Sequence, residues 1–140
     1  MAMKKSRAAT IVKPTRKGGV DEWLALAGVK RSKEVLLFKR VSEELKTQEG
    51  LDNETRWSIG KEIECRQWNP TGSECGAGKF HAVPAPCLAD EFRDSDGDKY
   101  IAILVARKDL HAWPNPQYPN KIAFRKGKVM YECDRNGNKI

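Results

Sequence analysis

Hydrophobic and polar positions along the chain predict a protein of short strands with few helices. Apolar or alternating runs that suit β-strands occupy residues 34–41, 57–65, 79–83, 100–106, 121–125 and 128–133. The run 100–106 is the most apolar, so we expect it to be a central, buried strand. The last two runs flank Lys126 and Gly127, and this spacing predicts a β-hairpin.

A first helix is predicted after the Gly18-Gly19 pair. Asp21 can cap it, and Gly28 suits the position just after its last turn. Trp23 and Leu26 lie three residues apart, so we expect them to share the face that docks on the rest of the protein.

A second helix is predicted from Pro86 to Arg93, with Leu88 and Phe92 four residues apart and facing the core. The acidic turn 94–98 that follows lacks the Gly and Glu spacing of a calcium-binding loop, so we interpret it as a helix-to-strand turn. The predicted fold is α+β: one mostly antiparallel sheet of five or six strands with one or two packed helices.

Positive charge is concentrated at the N-terminal end. The chain has 140 residues and a formal net charge of +7. The first 19 residues contain six basic residues and no acidic one, so residues 20–140 carry 20 basic against 19 acidic residues. We therefore predict a flexible basic arm, 1–19, and a single domain, 20–140.

A basic arm can contact phosphates, although it can also be a solubilising terminus. The candidate phosphate contacts are Lys4, Lys5, Arg7, Lys13, Arg16 and Lys17. Three aromatics in polar or proline-rich loops, Trp68, Trp113 and Tyr118, are candidates for contacts with nucleobases. For Trp113 and Tyr118, which share a long loop, the alternative role is to close the edge of a small core.

No apolar run is long enough to span a membrane, and no hydrophobic stretch follows the first residues. We therefore expect a cytoplasmic protein without membrane contact. Disulfides are not expected there. Cys65, Cys75, His81 and Cys87 contain enough donors for one zinc ion, but no Cys-x2-Cys pair is present, so we expect no metal and no cofactor.

The segment 75–86 joins a Gly-rich turn, a short strand with His81 and the start of the second helix. Glycines let a ligand approach the backbone, a helix start offers N–H groups, and a histidine can exchange a proton near neutral pH. His81 is thus a candidate site residue, with a structural role as the alternative.

Several motifs together resemble an uncharacterised phage and prophage domain family. They are Leu37-Phe38-Lys39-Arg40-Val41, Trp57-x-x-Gly60-Lys61, Glu74-Cys75-Gly76-x-Gly78-Lys79-Phe80-His81-Ala82, Tyr118-Pro119-x-Lys121-Ile122 and Val129-x-Tyr131-Glu132-x-Asp134-x-x-Gly137. The resemblance covers about residues 35–140, and it implies a protein of a mobile genetic element without implying an activity.

The order of Arg40, His81 and Glu132 is similar to that of the site residues of ADP-ribosyltransferases, although no Ser-Thr-Ser-like motif precedes the helix. This similarity implies an enzyme that acts on a nucleotide or NAD-like ligand, with those three residues in one pocket.

We therefore favour a small non-enzymatic protein that binds nucleic acid or a nucleoprotein partner through its basic arm and loop aromatics. The alternatives are the nucleotide-acting enzyme and a protein-binding module, such as a host-factor inhibitor or a virion component. The last would expose a large apolar patch near Trp68 or Trp113.

Overall fold

The computed structural model describes residues 19–30, 32–70, 78–111 and 119–140. Within these residues the chain forms one α-helix, α1 (Gly19–Ala27), and two 3₁₀ helices, Pro86–Glu91 and Arg107–Asp109. The strands are β1 (Glu34–Val41), β2 (Lys46–Thr47), β3 (Thr55–Arg56), β4 (Glu62–Glu64), β5 (Phe80–Ala82), β6 (Lys99–Ala106), β7 (Leu110–His111), β8 (Ile122–Phe124) and β9 (Lys126–Cys133).

The largest sheet has four antiparallel strands in the order β1-β6-β9-β4. β1 and β6 pair along eight residues each, from Glu34 opposite Ala106 to Val41 opposite Lys99. The predicted strand at 34–41 and the central position of the strand at 100–106 are both confirmed. Opposite residues of antiparallel strands share a face, so the buried apolar residues of β1 and β6 lie together on the inner face of the pair.

The other strands form a three-stranded antiparallel sheet, β5-β8-β7, and a two-stranded one, β2-β3. Reciprocal backbone hydrogen bonds between Phe38 and Val83 join β1 to the end of β5. The antiparallel α+β class is therefore confirmed. A single sheet of five or six strands is wrong, because short strands and a corner divide the pairing among three sheets.

The hairpin predicted across Lys126 and Gly127 does not form. β8 pairs with β5 and β7, whereas β9 pairs with β6 and β4. Only Arg125 separates β8 from β9, and one residue is too short for a hairpin turn. The Arg125 N–H donates to the Asp109 carbonyl, and the Arg125 carbonyl accepts from the Cys65 N–H. The chain thus turns a corner from one sheet into the other.

The strand predicted over 57–65 shrinks to β4. A turn at Gly60, where φ is +86°, interrupts the alternation. Trp57 is fully buried, as predicted, but Ile59 lies on the turn and is 45% exposed.

Helix α1 docks through a different face from the predicted one. Trp23 and Leu24 are fully buried, whereas Leu26 is 50% exposed. The Trp23 indole N–H donates to the Pro119 carbonyl at 3.0 Å. This hydrogen bond anchors the helix to a residue that lies 96 positions further along the chain. Gly28 ends the helix at φ +75°, as its position predicted.

The second predicted helix is a 3₁₀ helix that begins at Pro86. Because this helix has three residues per turn, Pro86 and Ala89 share its buried face. Leu88 is only partly buried and Phe92 is 40% exposed, so the predicted core-facing pair is wrong.

The described core is one cluster around the inner faces of the sheets. Its largest fully buried side chains are Trp23, Trp57, Phe124, Leu24, Leu37, Ile101, Ile103, Ile122, Val41, Val105 and Val129. The basic arm lies outside the described residues. No helix in the described part of the chain has the length and apolar character needed to cross a membrane.

Candidate functional site

A groove of about 1390 Å³ opens between the two larger sheets. Residues 78–83, which include β5, line it together with residues 62–67 around β4. The β2–β3 segment, residues 47–57, and the end of the first 3₁₀ helix with Phe92 and Arg93 complete its walls. The groove therefore lies where strand edges and a connecting loop meet.

Lys39 occupies an inward-facing position of β1 at this groove. The buried residues of β1 occupy alternate positions: Val35, Leu37 and Val41. Lys39 falls in the same alternation, so its side chain points to the same face of the strand. Lys39 lies opposite Ile101, which is fully buried. Its side chain therefore leaves the sheet on the core side and remains partly exposed in the groove.

Two contacts hold the Lys39 ammonium. Its Nζ donates to the His81 carbonyl at 2.7 Å, and it lies 5.2 Å from the centre of the Trp57 ring. Burial, together with smaller contributions from the positive charges of Lys121 and Arg93, lowers the pKa of Lys39 from 10.5 to about 8. These neighbours show that positive charge accumulates around Lys39.

Two more lysines lie at opposite ends of the β5–β8 pair. Lys79 precedes β5 and is 6% exposed, and Lys121 precedes β8 and is 5% exposed. Because the two strands are antiparallel, these positions are separated by about four residues of strand, or about 13 Å. The Lys121 Nζ also lies 5.4 Å from the Phe92 ring centre. Basic groups thus stand at both ends of the groove floor.

Carboxylates on the groove walls are mostly neutralised by ion pairs. Among the described residues, these are Glu49–Arg93 at 2.7 Å, Glu54–Lys46 at 3.3 Å, Glu62–Lys126 at 3.4 Å and Glu64–Arg125 at 3.5 Å. By contrast, Lys39, Arg56 and Arg66 line the groove and form no ion pair with a described residue. The uncompensated charge in the groove is therefore positive.

Aromatic rings pack beneath the groove. Trp57 meets Phe80 edge to face at 4.7 Å between ring centroids, and Phe80 and Phe124 are 5.5 Å apart. Trp57 and Phe124 are fully buried, so they cannot offer a ring face to a ligand. Phe92, at 40% exposure, is the groove aromatic with the most accessible ring.

Arg40 is engaged in a network of carboxylates. Its guanidinium pairs with Asp90 at 2.6 Å, Asp98 at 3.0 Å and Asp94 at 3.3 Å. Arg93 also reaches Asp98, whose side chain is only 2% exposed. This network ties β1 to the turn 94–98, which explains the acidic turn without a metal ion.

The three predicted catalytic residues are not assembled in one pocket. Arg40 and His81 line the groove, but Glu132 does not. Glu132 lies on β9, and β6 separates β9 from β1. The arrangement that the enzyme interpretation requires is therefore not found in the described structure.

The predicted zinc ligands are only partly described. Cys65 and His81 both line the groove, Cys87 lies on the first 3₁₀ helix, and Cys75 is outside the described residues. Within the described ranges, no three His, Cys, Asp or Glu side chains are grouped as metal ligands. Burial raises the pKa of the Cys65 thiol, which favours the protonated, non-coordinating form.

The predicted nucleic-acid residues are also only partly described. The arm residues 1–18, Trp113 and Tyr118 lie outside the described ranges. Trp68 is partly buried, and its ring meets His111 edge to face at 6.5 Å. Burial and the nearby Lys79 lower the pKa of His111. The role of Trp68 as a nucleic-acid contact therefore stays a prediction.

The groove lysines are the site residues that the sequence reasoning missed. Lys39 could have been found from the sequence, because it lies two residues from both Leu37 and Val41 in a predicted strand. Its side chain is therefore expected on the same, apolar face as theirs. Lys79 and Lys121 could not have been found in this way, because β5 and β8, whose pairing brings them to the groove, are about 40 residues apart in sequence.

Comparison with protein-family models, with curated proteins and with solved structures gives no match for this chain. The resemblance to a phage domain family therefore stays a prediction, and the function has to be argued from the groove itself.

Proposed function

We propose that this protein binds nucleic acid, with the phosphate backbone in the groove that Lys39 enters. The observation that carries the proposal is the charge arrangement of the groove. Among the described residues, four of the five wall carboxylates (all except Asp52) are held in ion pairs, whereas Lys39, Arg56 and Arg66 form none. A groove with uncompensated cations attracts a polyanion over a distance and holds its phosphates on contact.

The spacing of the basic groups favours an extended ligand over a single small anion. Lys79 and Lys121 are about 13 Å apart along the strand pair, and Lys39 lies near Lys121. Basic residues spread along the floor in this way favour a ligand with several phosphates.

A single strand fits the groove better than a duplex. Proteins that bind single strands combine a basic groove for the backbone with aromatic rings on which bases stack. Phe92 lines this groove and is 40% exposed. The predicted basic arm would add phosphate contacts outside the groove.

The test is the binding of fluorescently labelled single-stranded DNA, single-stranded RNA and duplex DNA, followed by anisotropy at several salt concentrations. The variant Lys39→Met keeps the apolar stem and removes the charge. We expect about tenfold weaker binding, because a charge-assisted hydrogen bond contributes roughly 1.5–3 kcal/mol. The salt slope should also fall by about 0.7, the value for one lost phosphate contact on a single strand.

Lys61→Met is the matched control, because Lys61 is exposed and lies outside the groove. It should bind as the unaltered protein does. Equal losses in both variants would reject the groove as the site, and so would unchanged binding in Lys39→Met. Tight binding of a mononucleotide together with weak binding of strands would instead favour the nucleotide-acting alternative.

A further inference from the structure

We propose that Lys39 is also a nucleophilic amine, which forms an imine with an aldehyde carried by a ligand in the groove. For a nucleic-acid ligand, the matching chemical class is a strand with an opened sugar at a position that has lost its base. The identity of this carrier rests on the proposed function, whereas the reactivity of the amine does not.

The position of Lys39 separates it from the ordinary surface lysines. Lys46 and Lys126 form ion pairs with Glu54 and Glu62. Lys39 has no carboxylate partner among the described residues; its contacts are the His81 carbonyl and the Trp57 ring. A neutral amine can still donate one N–H to that carbonyl, which leaves its lone pair free for attack.

The surroundings of Lys39 favour its neutral form. The side chain leaves the inner face of β1 next to fully buried residues, and Lys121 and Arg93 add positive charge nearby. These effects agree with the lowered pKa of about 8. At pH 7 roughly a tenth of Lys39 is then neutral, on the order of 300-fold more than for an unperturbed lysine. Lysines activated by desolvation and by nearby cations are the ones that form Schiff bases.

Imine formation between the Lys39 amine and an aldehyde releases water and needs no oxidant or reductant. The Lys39 nitrogen attacks the aldehyde carbon, an N–C bond forms, and the carbonyl oxygen takes up a proton. The resulting carbinolamine loses water, and the nitrogen loses a proton to give the imine. Addition of water reverses the step and returns the free amine and the aldehyde.

Lysines on the groove floor explain why a phosphate-bearing aldehyde is the expected ligand. Lys121 lies close enough to Lys39 for their charges to interact, and Lys79 stands at the other end of the floor. Both residues line the groove, so their positive charge favours a ligand that carries phosphate near the carbonyl that Lys39 attacks. An aldehyde without a phosphate should therefore react more slowly.

The first experiment uses pyridoxal 5′-phosphate as the probe, with borohydride to trap the imine and peptide mapping to locate it. At pH 7 we expect modification of Lys39 at least tenfold faster than of the exposed Lys61. Lys39→Met should lose this adduct, and Lys39→Arg should lose it while it keeps the positive charge. Pyridoxal, which lacks the phosphate, should label Lys39 more slowly. Equal labelling of Lys39 and Lys61 would overturn the inference.

The second experiment uses a labelled single strand with one abasic site, trapped with borohydride and resolved on a denaturing gel. We expect a covalent complex that Lys61→Met also forms and that Lys39→Arg lacks, each compared at strand concentrations that saturate that protein. If the intact strand binds but neither aldehyde labels Lys39, the inference fails and the proposed function stands. If pyridoxal 5′-phosphate labels Lys39 but no strand binds, the proposed function fails and the reactive amine stands.

Discussion

At the scale of single residues, the placement of charge separates structural from functional groups. Arg40 and Lys39 are neighbours on β1, yet they point to opposite faces. Arg40 meets three carboxylates, and Lys39 meets none among the described residues. Arg40, whose charge is paired with carboxylates, belongs to a structural network. Lys39, a cation in a groove without a described carboxylate partner, is a candidate to contact a ligand.

Removing Arg40 should destabilise the fold. In Arg40→Met, Asp98, whose side chain is 2% exposed, keeps one ion-pair partner among the described residues, Arg93. Asp90 loses the nearer of its two described cations. We expect a loss of about 2–4 kcal/mol in the free energy of unfolding, measured by urea denaturation. Arg135→Met is the control, because Arg135 reaches the same Asp90 from an exposed position, and its loss should be much smaller.

The loss in Arg40→Met should also depend on pH. Burial raises the pKa of Asp90, but hydrogen bonds from Tyr100, Arg135 and Arg40 outweigh it and leave the pKa below its usual value. A lowered carboxyl pKa stabilises the fold above the ordinary pKa near 4, and this contribution disappears as the pH falls through the folded-state value. The two proteins should therefore differ less at pH 3 than at pH 7. A difference that is constant over this range would contradict the network.

At the scale of elements, the corner between β8 and β9 decides the architecture. β8 is buried along its whole length, and β9 continues into the other sheet after a single residue. Gly127 crosses closely over β6 at this corner. A Cβ at position 127 would lie 2.8 Å from Ile103 Cγ2 and 3.1 Å from Val105 Cγ2. The glycine is thus required by packing and not by turn formation.

Gly127→Ala should therefore destabilise the protein by about 1–3 kcal/mol, the usual cost of overpacking a core. Lys126→Ala is the control, because Lys126 is partly exposed and its ion pair with Glu62 is at the surface. Its effect should stay within about 0.5–1 kcal/mol. Chemical denaturation of both variants measures the difference. Equal stability of Gly127→Ala and the unaltered protein would show that there is room for a Cβ between position 127 and the side chains of Ile103 and Val105.

At the scale of the whole molecule, charge is divided between two regions. The first 19 residues carry six basic side chains, and the remainder is nearly balanced. Within that balanced remainder, ion pairs consume most acidic groups at the groove and leave local positive charge. An arm and a groove of the same sign can act together on one polyanion.

Deletion of residues 1–18 tests this cooperation, since it ends before α1 begins. We expect weaker binding of a single strand and a salt slope that is lower by about 2–4, because up to six phosphate contacts are lost. The deletion should not change thermal stability. An unchanged salt slope would show that the arm does not contact the ligand, and the groove would then be the whole interface.

The sequence by itself determined the local elements of this protein. Apolar runs predict β1 and β6, and Gly28 ends α1 at positive φ, because these features depend on neighbours along the chain. Only the tertiary structure decided which strands pair across the chain. It placed β8 away from β9 and brought Lys39, Lys79 and Lys121 into one groove. Contacts between distant segments depend on packing of the whole chain, and no local pattern records them.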